Sequence, residues 1–109
     1  MNTDDPEAVA AVIERIQRGN REEFLAVVRA FQLPLRTYLS ACVYHREDVD
    51  DLTQEVFLGA YRGILEKPPT GDFWPWLRGI ARNQVLDYRR KAFRRNSPAF
   101  GVRRAEQIS

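Results

Sequence analysis

Arg78, Arg82 and Arg89 recur at four- and seven-residue intervals, with Asn83 and Arg90 close beside them. At about 100° per residue the three project from one side of a helix, and Asn83, Leu86 and Arg90 lie on its flank. Guanidinium groups in a row suit phosphates, because each keeps its charge and offers several donors. The Asn83 amide adds a donor and an acceptor of the kind that meets a base edge. The same row would serve as a plain solvated face. A second set has the opposite sign. Asp48, Asp51 and Glu55 are spaced three and four apart and form one acidic stripe, with Gln54 beside it and Leu58 on its solvent side. An exposed leucine among acids and amides is what a docking patch for a basic protein surface looks like, although an ordinary acidic surface has the same pattern.

Other chemistry finds no footing. The run Asp48-Val49-Asp50-Asp51-Leu52-Thr53 lacks the glycine and the fifth-position ligand of a calcium loop. His45 is the only histidine, so neither a zinc site nor a His-dependent nucleophile can be assembled. No glycine-rich phosphate loop is present. No catalytic residue, metal or cofactor is assigned, and the expectation is a binding protein, not an enzyme. A nuclease using Asp48, Asp51 and Glu55 would require these outward-facing carboxylates to share a cleft.

The elements that must position these residues read as helices. Asp5 caps a first helix with Pro6 at its first position, and Val9, Val12, Ile13 and Ile16 repeat at helical spacing until Gly19. Asn20 and Glu23 make a capping-box start for a second helix, whose buried face is Phe24, Val27, Val28, Phe31, Leu35, Tyr38, Leu39 and Cys42. Pro34 inside it predicts a kink or a break. His45 to Asp48 reads as a connection. Val49, Leu52, Val56, Ala60 and Ile64 mark the buried face of a third helix, in which Gly59 and Gly63 each cost about 1 kcal/mol relative to alanine. The run Lys67-Pro68-Pro69-Thr70-Gly71 is a loop. Asp72 then caps a fourth helix with Phe73, Trp76, Leu77, Ile80, Ala81 and Tyr88 inward and Trp74 pointing away, either to stack on a base or to cover the loop. The predicted core joins Phe24, Phe31, Leu39, Leu52, Val56, Ile64, Trp76, Leu77 and Ile80. The fold class is all-α, one domain of about four helices over residues 5–95, with 96–109 as a linker or disordered tail.

The 109 residues fit one domain, and no apolar run approaches a membrane span. The N-terminus lacks a secretory layout and Cys42 has no partner cysteine, which points to a reducing cytoplasm. Net charge is +2, yet residues 1–77 carry −5 and residues 78–109 carry +7. Such polarity predicts two surfaces with two partners, the basic one for a polyanion such as nucleic acid.

Read together, EDVDDLTQEVFLGAYRGI and FWPWLRGIARNQVLDYRR resemble region 2 of a bacterial sigma factor, and most closely its extracytoplasmic-function (ECF) subfamily. The resemblance covers roughly Val9 to Arg95 and is sharpest in D-L-x-Q-E-V-F paired with W-L-x-x-I-A-R-N. It implies that Asp48, Asp51, Leu52, Gln54, Glu55 and Leu58 dock on the clamp helices of the largest subunit of core RNA polymerase, with Leu52 acting indirectly because it faces inward. It further implies that the Lys67–Gly71 loop, with Lys67 and Thr70, and the next helix, with Trp74, Arg78, Arg82, Asn83, Arg89 and Arg90, take the −10 promoter element as an unpaired non-template strand with one base flipped into a pocket. The alternative is a sigma-like interaction module held by an anti-sigma factor, with little DNA binding of its own. The family also carries a helix-turn-helix domain that reads the −35 element. Nothing after Arg95 would form one, so the expectation is a single domain of such a factor or a shortened relative acting alone.

Overall fold

The computed structural model describes residues 1–95, and the tail expected over 96–109 lies outside them. Among the described residues four helices follow in order: α1 (Pro6–Gln17), α2 (Phe24–Cys42), α3 (Arg46–Glu66) and α4 (Phe73–Arg95), with a 3₁₀ turn at Arg21–Glu23 before α2. Among the described residues no helix is long and apolar enough to cross a membrane.

The ends of α1 follow from its sequence. An Asp5 carboxylate oxygen accepts from the Glu7 and Ala8 amides at 3.0 and 3.4 Å, and Pro6 occupies a position whose N–H would have no partner. At the other end Gly19 adopts φ +112°, and the Gly19 and Asn20 amides donate back to the Ile16 and Arg15 carbonyls. This is a Schellman closure, which needs a residue free to enter the left-handed region. It also explains why Asn20 does not cap α2 as predicted. Its amide is committed to ending α1, its side chain makes no capping bond, and Glu23 pairs with Arg15 at 3.4 Å instead.

Pro34 does not break α2, which runs unbroken through it. The ring sits at the surface, while Phe31 and Leu35 on either side are buried, so packing holds the helix across the one missing donor. α3 begins earlier than expected, at Arg46, which shortens the connection to residues 43–45. Glu47 and Asp48 thereby fall in its first turn, where negative charge complements the helix N-terminus.

The core joins Val9, Val12, Ile13 and Ile16 of α1 to Val27, Phe31, Leu35 and Leu39 of α2, with Val49, Leu52, Val56, Phe57, Ala60 and Ile64 of α3. α4 adds the row Phe73, Leu77, Ala81 and Val85, one residue per turn. That row displaces Trp76 and Ile80 from the fully buried positions predicted for them. Both are half-buried and lie over the flank of α3, Trp76 against Gly63 and Ile80 against Gly59. Phe24 is likewise half-buried. Trp74 does not point away: its ring stacks parallel to Phe31, with centroids 6.4 Å apart, and packs on the core from the α2 side.

Three side-chain bonds fasten the corners. Gln17 donates to the Ile64 carbonyl at 3.1 Å, the Tyr88 hydroxyl donates to Asp48, and Arg89 donates to the Cys42 carbonyl at 3.1 Å. The buried Thr53 hydroxyl is satisfied by the Val49 carbonyl at 2.7 Å.

Candidate functional site

Because Phe73, Leu77, Ala81 and Val85 turn inward, the opposite side of α4 must face solvent, and Arg78, Arg82, Arg89 and Arg90 all do. Among the described residues Arg78, Arg82, Arg90 and Asn83 make no ion pair and no side-chain hydrogen bond. The one acid on the helix, Asp87, is matched by Lys91 at 3.1 Å. The ridge thus keeps its charge and its donors for something outside the chain. Arg89 differs, because its guanidinium also closes the C-terminal end of α2 through Cys42. Two apolar residues extend the ridge: Leu86, which the sequence places on its flank, and Phe93 at 71% exposure, to which the sequence assigns no role. Their spacing from Arg82 and Arg89 was the available signal.

Lys67 and Thr70 are exposed in the loop between α3 and α4. The concave side of that loop opens toward α1 as a cleft of about 610 Å³. Pro68, Pro69, Phe73 and Trp74 line it with Val9 and Ile13, while Asp4, Glu14 and Asp72 supply carboxylates. Asn83 lies elsewhere: ten residues of helix put it about 15 Å along the axis from Phe73. The loop and Asn83, expected around one base pocket, therefore stand at separate heights of α4.

On α3 the inward row leaves Asp51, Gln54, Glu55 and Leu58 exposed and Leu52 buried, as the helical wheel places them. Asp48 departs from the stripe: it is half-buried and accepts from Tyr88, tying α3 to α4. Asp51, Gln54 and Leu58 edge a groove of about 510 Å³ between α2 and α3. Phe24, Val28, Phe57 and Tyr61 also line it, and Phe24 meets the other two rings edge-on at centroid distances of 6.3 and 5.2 Å. Arg36 and Asp50, paired at 2.6 Å, close one side. The contribution of α2 to this groove was not foreseen, since no spacing within one helix announces a surface made by two. Among the described residues no three His, Cys, Asp or Glu side chains converge as a metal site would require, and Asp48, Asp51 and Glu55 do not share a cleft.

Comparison with known proteins puts the chain in a family. The model of sigma-70 region 2 matches residues 27–95, which takes in α3, α4 and nearly all of α2. The ECF RNA polymerase sigma-E factor of Haemophilus influenzae is 35% identical over 78 residues, 72% of this chain and 41% of that protein. The RNA polymerase sigma-H factor of Pseudomonas aeruginosa is 31% identical over 77 residues, 71% of this chain and 40% of that protein. The ECF RNA polymerase sigma-E factor of Escherichia coli K12 is 32% identical over the same length and shares. The chain spans about two fifths of the length of these curated relatives. With its helices, its motifs and its match over more than half of its length agreeing, the chain belongs to the sigma-70 family, as a region 2 of the ECF kind.

Proposed function

We propose that the chain serves transcription initiation, docking on core RNA polymerase through the α2–α3 groove and holding the non-template strand of a −10 promoter element along α4. The observation that carries this reading is the row of unpaired arginines with Asn83 on the outward face of α4, inside the matched region. Cations without an internal partner release the counterions of a nucleic-acid strand, so they attract any sequence. Asn83 adds discrimination, because an amide can pair with both edge groups of an adenine. Leu86 and Phe93 supply apolar surface against which unstacked bases can lie. Holding a strand open breaks no covalent bond; it requires only that unpaired bases be received better than the duplex receives them. The loop and Asn83, standing at different heights, would meet different nucleotides of that strand.

The groove suits the other partner. Its aromatic lining can take an apolar side chain, while Asp51 at its edge and the exposed Glu55 one turn further along α3 attract the basic residues around one. The clamp helices of the polymerase largest subunit are the assigned occupant, and the cytoplasm is the compartment that supplies both partners.

Two measurements test the reading. Arg82→Ala should weaken binding to all single-stranded oligonucleotides alike and lower the slope of log K against log salt by about 0.7 per lost phosphate contact. Asn83→Ala should flatten the sequence preference and leave that slope in place. A wild type without sequence preference, or one whose preference survives Asn83→Ala, removes base reading from this helix.

A further inference from the structure

Gly79 lies in the middle of α4, exposed, where glycine weakens a helix relative to alanine. Other helical glycines of the chain have neighbours. A Cβ at Gly63 would lie 2.7 Å from the Trp76 ring, and one at Gly59 would meet Ile80 at 3.5 Å. At Gly79 a Cβ would meet nothing within 4 Å, and its φ is not in the left-handed region. Neither backbone conformation nor internal packing accounts for a glycine at this point of the helix.

Its surroundings do account for it. On a helix, positions three and four away are neighbours, so Pro75 and Trp76 stand on the turn before and Arg82 and Asn83 on the turn after. Arg78, Arg82 and Arg89 form the ridge, and Asn83 lies about 100° round the helix from Arg82. Gly79 falls between these two directions, one turn below. A strand whose phosphates rest on the ridge and whose base reaches Asn83 must cross α4 here.

We infer that Gly79 is a contact point for nucleic acid, a notch in α4 through which the sugar–phosphate backbone of a single strand comes close enough for Asn83 to reach a base. This inference rests on the reading of α4 as a nucleic-acid surface. A methyl group in the notch would lift the strand by about 1.5 Å, the length of one carbon–carbon bond. The arginines, with long side chains, can follow such a shift. Asparagine cannot, and a hydrogen bond stretched from about 2.9 Å by that amount is lost. The ligand is taken to be a polyanion because the cations around the notch have no carboxylate partner among the described residues, apart from the Asp87–Lys91 pair.

The test separates stability from binding. In the 109-residue chain, Gly79→Ala should raise Tm by about 4 °C through helix propensity. The same substitution should weaken binding of a fluorescein-labelled single-stranded DNA of mixed sequence, followed by anisotropy, by about three- to tenfold. Gly79→Met, with more bulk and comparable helix propensity, should weaken it further without lowering Tm below that of the wild type. A fall in Tm for Gly79→Ala would mean that the glycine serves the interior, and unchanged binding in both variants would mean that no strand passes here; either result overturns the inference. Arg82→Ala is the control. If it weakens binding while the Gly79 variants do not, the surface is right and the notch is wrong. If neither position matters, the nucleic-acid reading of α4 fails and the notch fails with it.

Discussion

Gly63 and Gly59 sit about one turn apart on α3, and their neighbours give them opposite consequences. A methyl group at Gly63 must displace Trp76, whose ring atoms stand 2.7 and 2.8 Å from the built Cβ. Gly63→Ala is therefore expected to cost about 1–3 kcal/mol of stability in urea denaturation, as overpacking does, despite its better helix propensity. Gly59→Ala meets only ordinary contact with Ile80 and should stabilise by up to about 1 kcal/mol. The sequence shows the cost of both glycines but not this difference, because the reason for Gly63 lies on another helix. Caps separate in the same way. Asp5→Ala should cost about 1 kcal/mol, since Asp5 satisfies two first-turn amides, whereas Asn20→Ala should cost much less, its side chain making no capping bond. Thermal melts of the two variants side by side would check this.

At the scale of elements, what is periodic was legible and what is shared between helices was not. The four helices, the inward rows of α1 and α3, the outward arginines of α4 and the exposed Asp51, Gln54, Glu55 and Leu58 all follow from residues three and four apart. On α4 two flanks compete for the core, and the wheel alone could not rank Phe73, Leu77, Ala81 and Val85 above Trp76 and Ile80. The packing of its neighbours decides it, α2 taking Trp74 and α3 taking Trp76. The groove between α2 and α3 was invisible for the same reason. Pro34 marks an element whose continuity comes from the core and not from its own propensity. Pro34→Ala restores a donor to a helix that is already continuous, and is expected to raise stability by about 1–3 kcal/mol in equilibrium unfolding.

The whole molecule presents two faces of opposite charge on adjacent, packed helices. Charge reversal at both Asp51 and Glu55 should weaken capture of core RNA polymerase while leaving Tm nearly unchanged, because exposed charges contribute little to folding. A pull-down with purified core enzyme beside a thermal melt reads both quantities, and equal loss of the two would make the face structural. The placement of the two tryptophans has a consequence of its own. Trp74 lies against Phe31 on the α2 side, while Trp76 lies against Gly63 on the α3 side and borders the notch at Gly79. One chain thus carries two built-in fluorophores at the start of the same helix, one looking toward the interior contacts of α2 and one toward the surface assigned to nucleic acid. Replacing Trp74 with phenylalanine would leave an emission signal that changes when a strand arrives, and replacing Trp76 would leave one that changes mainly when the bundle comes apart, so that occupancy and integrity could be followed in the same cuvette without a label.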